Sequence, residues 1–208
     1  MKRIIRKVLL FLLIAFSKVR PKDRRTKLNL CSGNQKISGY CSLDYSFSAD
    51  IPINLSRGNL PFNANSLEAV TCISAINYFS RDRGQEIVNE VYRVLGDGGV
   101  ARFASQDLET IARRYVVKDT DFFFQKLTNG DERFEGKTMG DKFNSWFYGY
   151  LTGGGPTKYF YDYETLADLF ISAGFSVVEK KKYMDSRLKE IKSIDNREDQ
   201  MFFLEAVK

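Results

Sequence analysis

Hydrophobic and polar positions along this chain switch between two periods. Residues 28–31, Leu28-Asn29-Leu30-Cys31, read as a short buried strand running into turn residues Ser32, Gly33 and Asn34. A second strand follows and ends in an acid, Asp44. Residues 49–62 predict a short third strand, a loop through Ser56, Arg57, Gly58 and Asn59, and then Leu60-Pro61-Phe62. Residues 66–73, SLEAVTCI, are rich in β-formers and predict a fourth strand. From Arg81 to Leu95 the period lengthens, with Ile87, Val88, Val91, Val94 and Leu95 at helical spacing. Gly96-Asp97-Gly98-Gly99 stops that helix, and Val100 to Ala104 predict the next strand. Strands alternating with helical stretches and short turns predict a parallel α/β sheet.

One connection is too short for that plan. About eight residues separate the first strand from Tyr40, whereas a parallel crossover needs roughly a dozen or more, usually with a helix. The first crossover helix is therefore expected to be missing or reduced to a turn, leaving one sheet face short of cover. An apolar N-terminal helix is the obvious candidate to supply it. Its unbroken apolar run, Val8 to Phe16, is nine residues, against the roughly 20 needed to span a bilayer. Ser17-Lys18-Val19-Arg20 offers no signal-peptide cleavage site. Residues 1–19 are thus expected to form a basic, apolar helix that packs on the sheet or lies in a membrane interface. In the second case Lys2, Arg3, Arg6, Lys7, Lys18 and Arg20 would each contribute about 1 kcal/mol on anionic lipid. Residues 20–26 form a polar linker, and the globular domain is expected over 27–208.

A chain of 208 residues with 17 Phe and 11 Tyr has the makings of one folded domain. The net charge of +6 is unevenly placed. Residues 1–27 hold ten Lys or Arg against one Asp, +9, and the rest hold 22 basic against 25 acidic residues, −3. A slightly acidic body argues against a nucleic-acid groove. The three cysteines, Cys31, Cys41 and Cys72, have no CxxC spacing and fall in expected strand interiors, as buried thiols of a reducing compartment. A cytoplasmic location follows, peripheral at the inner membrane if residues 1–19 touch lipid. With no His anywhere, a zinc site and a Ser-His-Asp triad are set aside, and no metal is expected.

An acid closing the strand after a turn-bearing strand is what nucleoside-binding α/β domains use: backbone amides take the charged part of the ligand and the carboxylate takes the ribose hydroxyls. The same pattern also occurs in plain structural hairpins. An NAD-dependent oxidoreductase is disfavoured, because Gly33 lacks companion glycines and the crossover is too short for a phosphate-binding helix. Leu28 to Asn34, Ser42-Leu43-Asp44, Ala49-Asp50-Ile51, Leu60-Pro61-Phe62, Glu68-Ala69-Val70, Glu90 to Leu95 and Gly98-Gly99-Val100 resemble the successive motifs of class I S-adenosylmethionine-dependent methyltransferases. The likeness is greatest to a small bacterial subgroup associated with surface-polysaccharide synthesis. It continues through Asp107-Leu108-Glu109, Phe143-Asn144, Tyr148-Gly149, Gly153 to Pro156 with Lys158, Tyr161 to Leu166, Ala173-Gly174-Phe175 and Phe203 to Ala206.

The resemblance implies a Rossmann-like, seven-stranded, mostly parallel sheet with an antiparallel C-terminal strand at Met201 to Val207. S-adenosylmethionine would lie across the carboxyl ends of the first strands, with Cys31, Ser32 and Gly33 beside its methionine part and Asp44 on its ribose. Asn54 and Leu55 would line the adenine, and Ser74 to Asn77 would face the reacting methyl. The chain departs from the family at several positions. Cys31-Ser32-Gly33 stands for Gly-Cys-Gly, Asn54 for an Asp, Asn77-Tyr78 for Glu-His, and Thr152 and Thr157 for histidines. A left-handed Cys31 would cost roughly 1 to 2 kcal/mol and bring its sulfur toward the cofactor.

A sulfonium is an activated methyl donor, so a base is needed only to deprotonate a hydroxyl acceptor. Asp107 is the candidate carboxylate, or else the N-cap of the helix that follows. Asn77, Tyr148, Lys158, Tyr159 and Tyr161 would hold a sugar or other small acceptor, or else the tyrosines pack. The two functional classes are a small O-methyltransferase acting on a surface glycan and a degenerate member serving as a non-catalytic partner or scaffold.

Overall fold

The computed structural model describes residues 25–148 and 156–208. The expected N-terminal helix and the greater part of the linker lie outside them. Five strands lead the domain: β1 (Lys27–Leu30), β2 (Tyr40–Asp44), β3 (Ile51–Pro52), β4 (Leu67–Ile73) and β5 (Leu95–Gln106), with α1 (Arg81–Val94) between the last two. Helices α2 (Leu108–Val116), α3 (Thr120–Phe123), α4 (Met139–Tyr148) and α5 (Tyr163–Ala173) follow, then β6 (Val177–Lys181) and β7 (Met201–Val207). The sheet has seven strands in the order β3-β2-β1-β4-β5-β7-β6. β3 to β5 are parallel neighbours, and β7 runs antiparallel between β5 and β6. This is the expected architecture. β1 and β2 pair in parallel with no helix between them, so the reduced first crossover is present as well.

The parallel strands read as near-continuous apolar runs because both faces are covered. On one face Leu28, Leu30, Cys41, Leu43, Val70, Cys72 and Phe103 pack against Ile87, Val88 and Val91 of α1 and Leu169 and Phe170 of α5. Ser80 caps α1, its side chain accepting the Arg83 N–H at 3.3 Å. The expected glycine stop differs in detail. The helix ends at Val94 and β5 begins at once, with Leu67 opposite Leu95 and Ala69 opposite Val100. Gly96 to Gly99 therefore bulge out of the ladder. Glycine is required there: Gly98 has φ +74, and a Cβ on Gly99 would lie 2.8 Å from the Gly96 carbonyl oxygen.

On the opposite face, cover comes from the segment between β6 and β7, not from a crossover helix. Leu188 and Ile194 pack on Ile37, Tyr40, Ala69, Ile73, Ala104 and Phe203. The segment is pinned by a fully buried ion pair between Arg102 in mid-β5 and Asp195. Arg102 donates through Nε at 3.1 Å and Nη2 at 2.5 Å to that carboxylate, and to the carbonyls of Asp185 and Lys182. A third cluster, Ile111, Phe122, Phe123, Phe134 and Trp146, joins α2, α3 and α4 beyond β5.

Candidate active site

The carboxyl ends of β1, β2 and β4 open on one cavity of about 650 Å³, the place where open α/β sheets take ligands. Of the seven sequence-predicted cofactor residues, Cys31, Gly33, Asp44, Asn54, Leu55 and Ser74 line it. Ser32 does not: it is buried, donates its N–H to the Leu43 carbonyl and forms the turn beneath them.

Asp44 ties the site together. One carboxylate oxygen accepts the Gly33 N–H at 2.9 Å and the other accepts the Ser46 N–H at 2.8 Å. Gly33 has φ +53 and open space where a side chain would stand, so bare backbone faces the ligand here. Cys31 is also left-handed, at φ 51. It is consequently not a strand-interior residue but the first residue of the turn, half-buried, with its side chain on the cavity. Cys41 and Cys72 are buried in strands as expected. Ser74, also left-handed at φ 59, accepts the Gln106 side-chain amide at 2.9 Å through its hydroxyl.

The loop after β3 is shaped by Asn54, whose side-chain oxygen accepts the Ser56 N–H at 2.9 Å. Arg83 of α1 holds the loop from behind, donating to the Leu55 carbonyl at 2.7 Å and to that of Gly58. Glu90 and Arg93 do the same for Leu60-Pro61-Phe62. Glu90 accepts the Leu60 N–H at 2.7 Å, and Arg93 donates to the carbonyls of Phe62 and Leu60. Burial acts to raise the Glu90 carboxyl, but the Arg93 and Leu60 hydrogen bonds outweigh it and hold it below the usual carboxylate range.

The acceptor residues are not brought together. Lys158 lines the cavity, beside Pro156. Asn77 is buried and does not line it; its backbone carbonyl accepts the N–H groups of Lys158 and Tyr159 at 2.9 and 3.2 Å, anchoring that segment. Tyr148 is exposed at the end of α4 and is not part of the lining. Tyr161 is fully buried in the main core, its hydroxyl directed at Gly84 of α1. Burial, with Tyr159 beside it, pushes that phenol up. It packs and offers no stacking face. Asp107 takes the capping role: its oxygens accept from the Glu109 N–H at 3.1 Å and the Thr110 hydroxyl at 2.7 Å, it is 8% exposed, and it lies off the cavity. The nomination as base is therefore corrected. Tyr78, which stands where the resemblance expects a histidine, lines the cavity as well, and so do Tyr45 and Phe79, which were not singled out in the sequence. Tyr45, 60% exposed directly after Asp44, carried the available signal: a large aromatic without an apolar period.

Comparison with known proteins bears on the fold. Residues 44–103, from the Asp44 clasp into β5, match a family model described as a methyltransferase domain. A methyltransferase of Archaeoglobus fulgidus described as S-adenosylmethionine-dependent superposes with a TM-score of 0.52 at 12% identity, covering 98% of this chain and 94% of that one. Another, from Mesorhizobium loti, gives 0.50 at 12% identity, covering 95% and 96%. The fold is shared with these two methyltransferases. In sequence the chain is 35% identical over 134 residues to a ubiquinone/menaquinone biosynthesis C-methyltransferase of Desulfotalea psychrophila, matching 60% of this chain. The match spans 46% of that relative, about half its length.

Proposed function

We propose that this protein transfers a methyl group from S-adenosylmethionine to a hydroxyl of a small or glycan acceptor. The observation that carries the reading is the single cavity that gathers Gly33, Asp44, Asn54 and Leu55 at the ends of β1 to β3, lined as the cofactor requires. The residues fit the cofactor. Asp44 keeps lone pairs for ribose hydroxyls beyond the two amides it holds, Gly33 offers backbone, and buried Ile53 and Leu55 offer an apolar wall. The cofactor supplies an activated methyl, so the chain's work is to orient the acceptor and exclude water. Lys158 is the basic side chain on the cavity, and we assign it to the acceptor hydroxyl in place of Asp107.

The chain's resemblance to a polysaccharide-associated subgroup supports a sugar of a bacterial surface glycan as acceptor, met at the cytoplasmic membrane face through residues 1–19. No helix among the described residues is long and apolar enough to cross a membrane. The loss of the family's Glu and His supports the second reading, a non-catalytic partner. Incubation with methyl-labelled S-adenosylmethionine and a panel of hydroxylated glycans and quinone precursors separates the possibilities. Label on a glycan oxygen supports the proposal; label on a quinone carbon overturns the acceptor class. Cofactor binding with no transfer to any acceptor favours the partner.

A further inference from the structure

We propose that Cys31 and Cys72 form a redox pair at the floor of the cavity, able to close a reversible disulfide between β1 and β4. The two strands are parallel neighbours with Leu28 opposite Val70 and Asn29 opposite Thr71; that register carried on past the end of β1 sets Cys31 one step diagonal to Cys72, where strand spacing gives about 6 Å between Cα atoms, inside the range a disulfide bridges. Alternation along β1 would send the residue after Leu30 to the far face of the sheet. The left-handed backbone of Cys31, φ 51, turns it instead onto the face that holds Leu30 and Cys72, where it packs on that cluster. The neighbouring Cys31 side chain, and then burial, push the Cys72 thiol up. A cysteine held in the conformation that glycine prefers, against a second buried cysteine, is not explained by packing alone.

The two positions differ in access as a redox pair needs. Cys31 lines the cavity and meets solvent, whereas Cys72 is 1% exposed. The oxidant is a peroxide. The Cys31 sulfur attacks one peroxide oxygen, breaking the O–O bond to give a sulfenic acid and water. The Cys72 sulfur then displaces the sulfenic oxygen as a second water, its thiol proton leaving with it. The sulfurs lose two electrons and the peroxide gains them. Because Cys31 stands where the cofactor's methionine end is assigned, the bond also fixes a side chain that must yield to the ligand. That consequence rests on the proposed function; the bond itself does not.

The test is treatment of the whole protein with hydrogen peroxide, followed by intact mass, thiol titration and peptide mapping. The expected result is loss of two hydrogens, one titratable thiol remaining at Cys41, a 31–72 cross-linked peptide, and full reversal by dithiothreitol. Cys72→Ala should instead leave Cys31 as a sulfenic acid trapped by dimedone. Three thiols surviving peroxide, or a bond that uses Cys41 or a second molecule, overturns the pair. S-adenosylhomocysteine affinity is then compared before and after oxidation. At least a tenfold loss restored by dithiothreitol is expected. Unchanged affinity with the bond formed overturns the gating, and a chain that binds no cofactor even when reduced sinks the functional reading while leaving the cross-link established.

Discussion

Replacing Asp195 by Ala should be among the most damaging single changes away from the cavity. The side chains of Arg102 and Asp195 are both 0% exposed, with two hydrogen bonds between them at 3.1 and 2.5 Å. The same carboxylate accepts the Met184 N–H at 2.9 Å. The variant leaves a guanidinium buried without its counter-charge, which costs about 3 to 5 kcal/mol. The orphaned Met184 amide lies within that figure, since the two losses share one carboxylate and do not add. Domains of this size lose roughly 2 to 4 °C of melting midpoint per kcal/mol, so a fall of about 6 to 20 °C is expected by calorimetry or circular dichroism. Converting both residues, Arg102→Met with Asp195→Leu, should recover most of the loss, because no charge is then left buried. A drop below about 3 °C for Asp195→Ala would refute the claim that this pair fastens the 182–195 segment to the sheet.

Gly84→Ala should destabilise by about 1 to 3 kcal/mol despite alanine's better helix propensity, because its Cβ would stand 2.6 Å from the Tyr161 hydroxyl. Tyr161→Phe, which removes an oxygen without a hydrogen-bond partner among the described residues, should rescue it; a double-mutant cycle of thermal melts shows whether it does. Asp107→Ala should cost about 1 kcal/mol through the lost cap, whereas Asp107→Ser should keep stability and methyl transfer; a stable Asp107→Ser that loses turnover would make the carboxylate a base after all. Glu90 has a lowered folded pKa, so its contribution is present above the unfolded carboxylate range and is lost as pH falls through the folded value. The protection factor of the Leu60 amide, taken relative to its intrinsic exchange at each pH, should therefore fall on acidification, and Glu90→Gln should flatten that dependence.

What could be read in the sequence divides along local and long-range lines. β1, its turn and β2 through Asp44 were legible, because turn residues and an acid at the strand end are local signals, and the short crossover was a matter of counting. The cover on the second face was not legible. Leu188, Ile191 and Ile194 are sparse among charges, and the anchor is an Arg in mid-strand whose partner lies 93 residues away. The Tyr159 and Tyr161 stretch was ambiguous for a related reason. It has neither strand nor helix period, so only Gly84 across the core decides that Tyr161 points inward. Cys31 carries the same lesson at the site: its departure from glycine is visible in the sequence, but its packing on the cluster that holds Cys72 depends on one backbone angle.

The central claim is that the cavity above β1 and β2 takes S-adenosylmethionine through Asp44. Isothermal titration of the reduced protein with S-adenosylmethionine and S-adenosylhomocysteine, against Asp44→Ala, tests it most directly. The account predicts one-to-one binding of both ligands, weakened at least tenfold, about 1.4 kcal/mol, in the variant. No heat at millimolar ligand, or equal affinity in a folded Asp44→Ala protein, would contradict it.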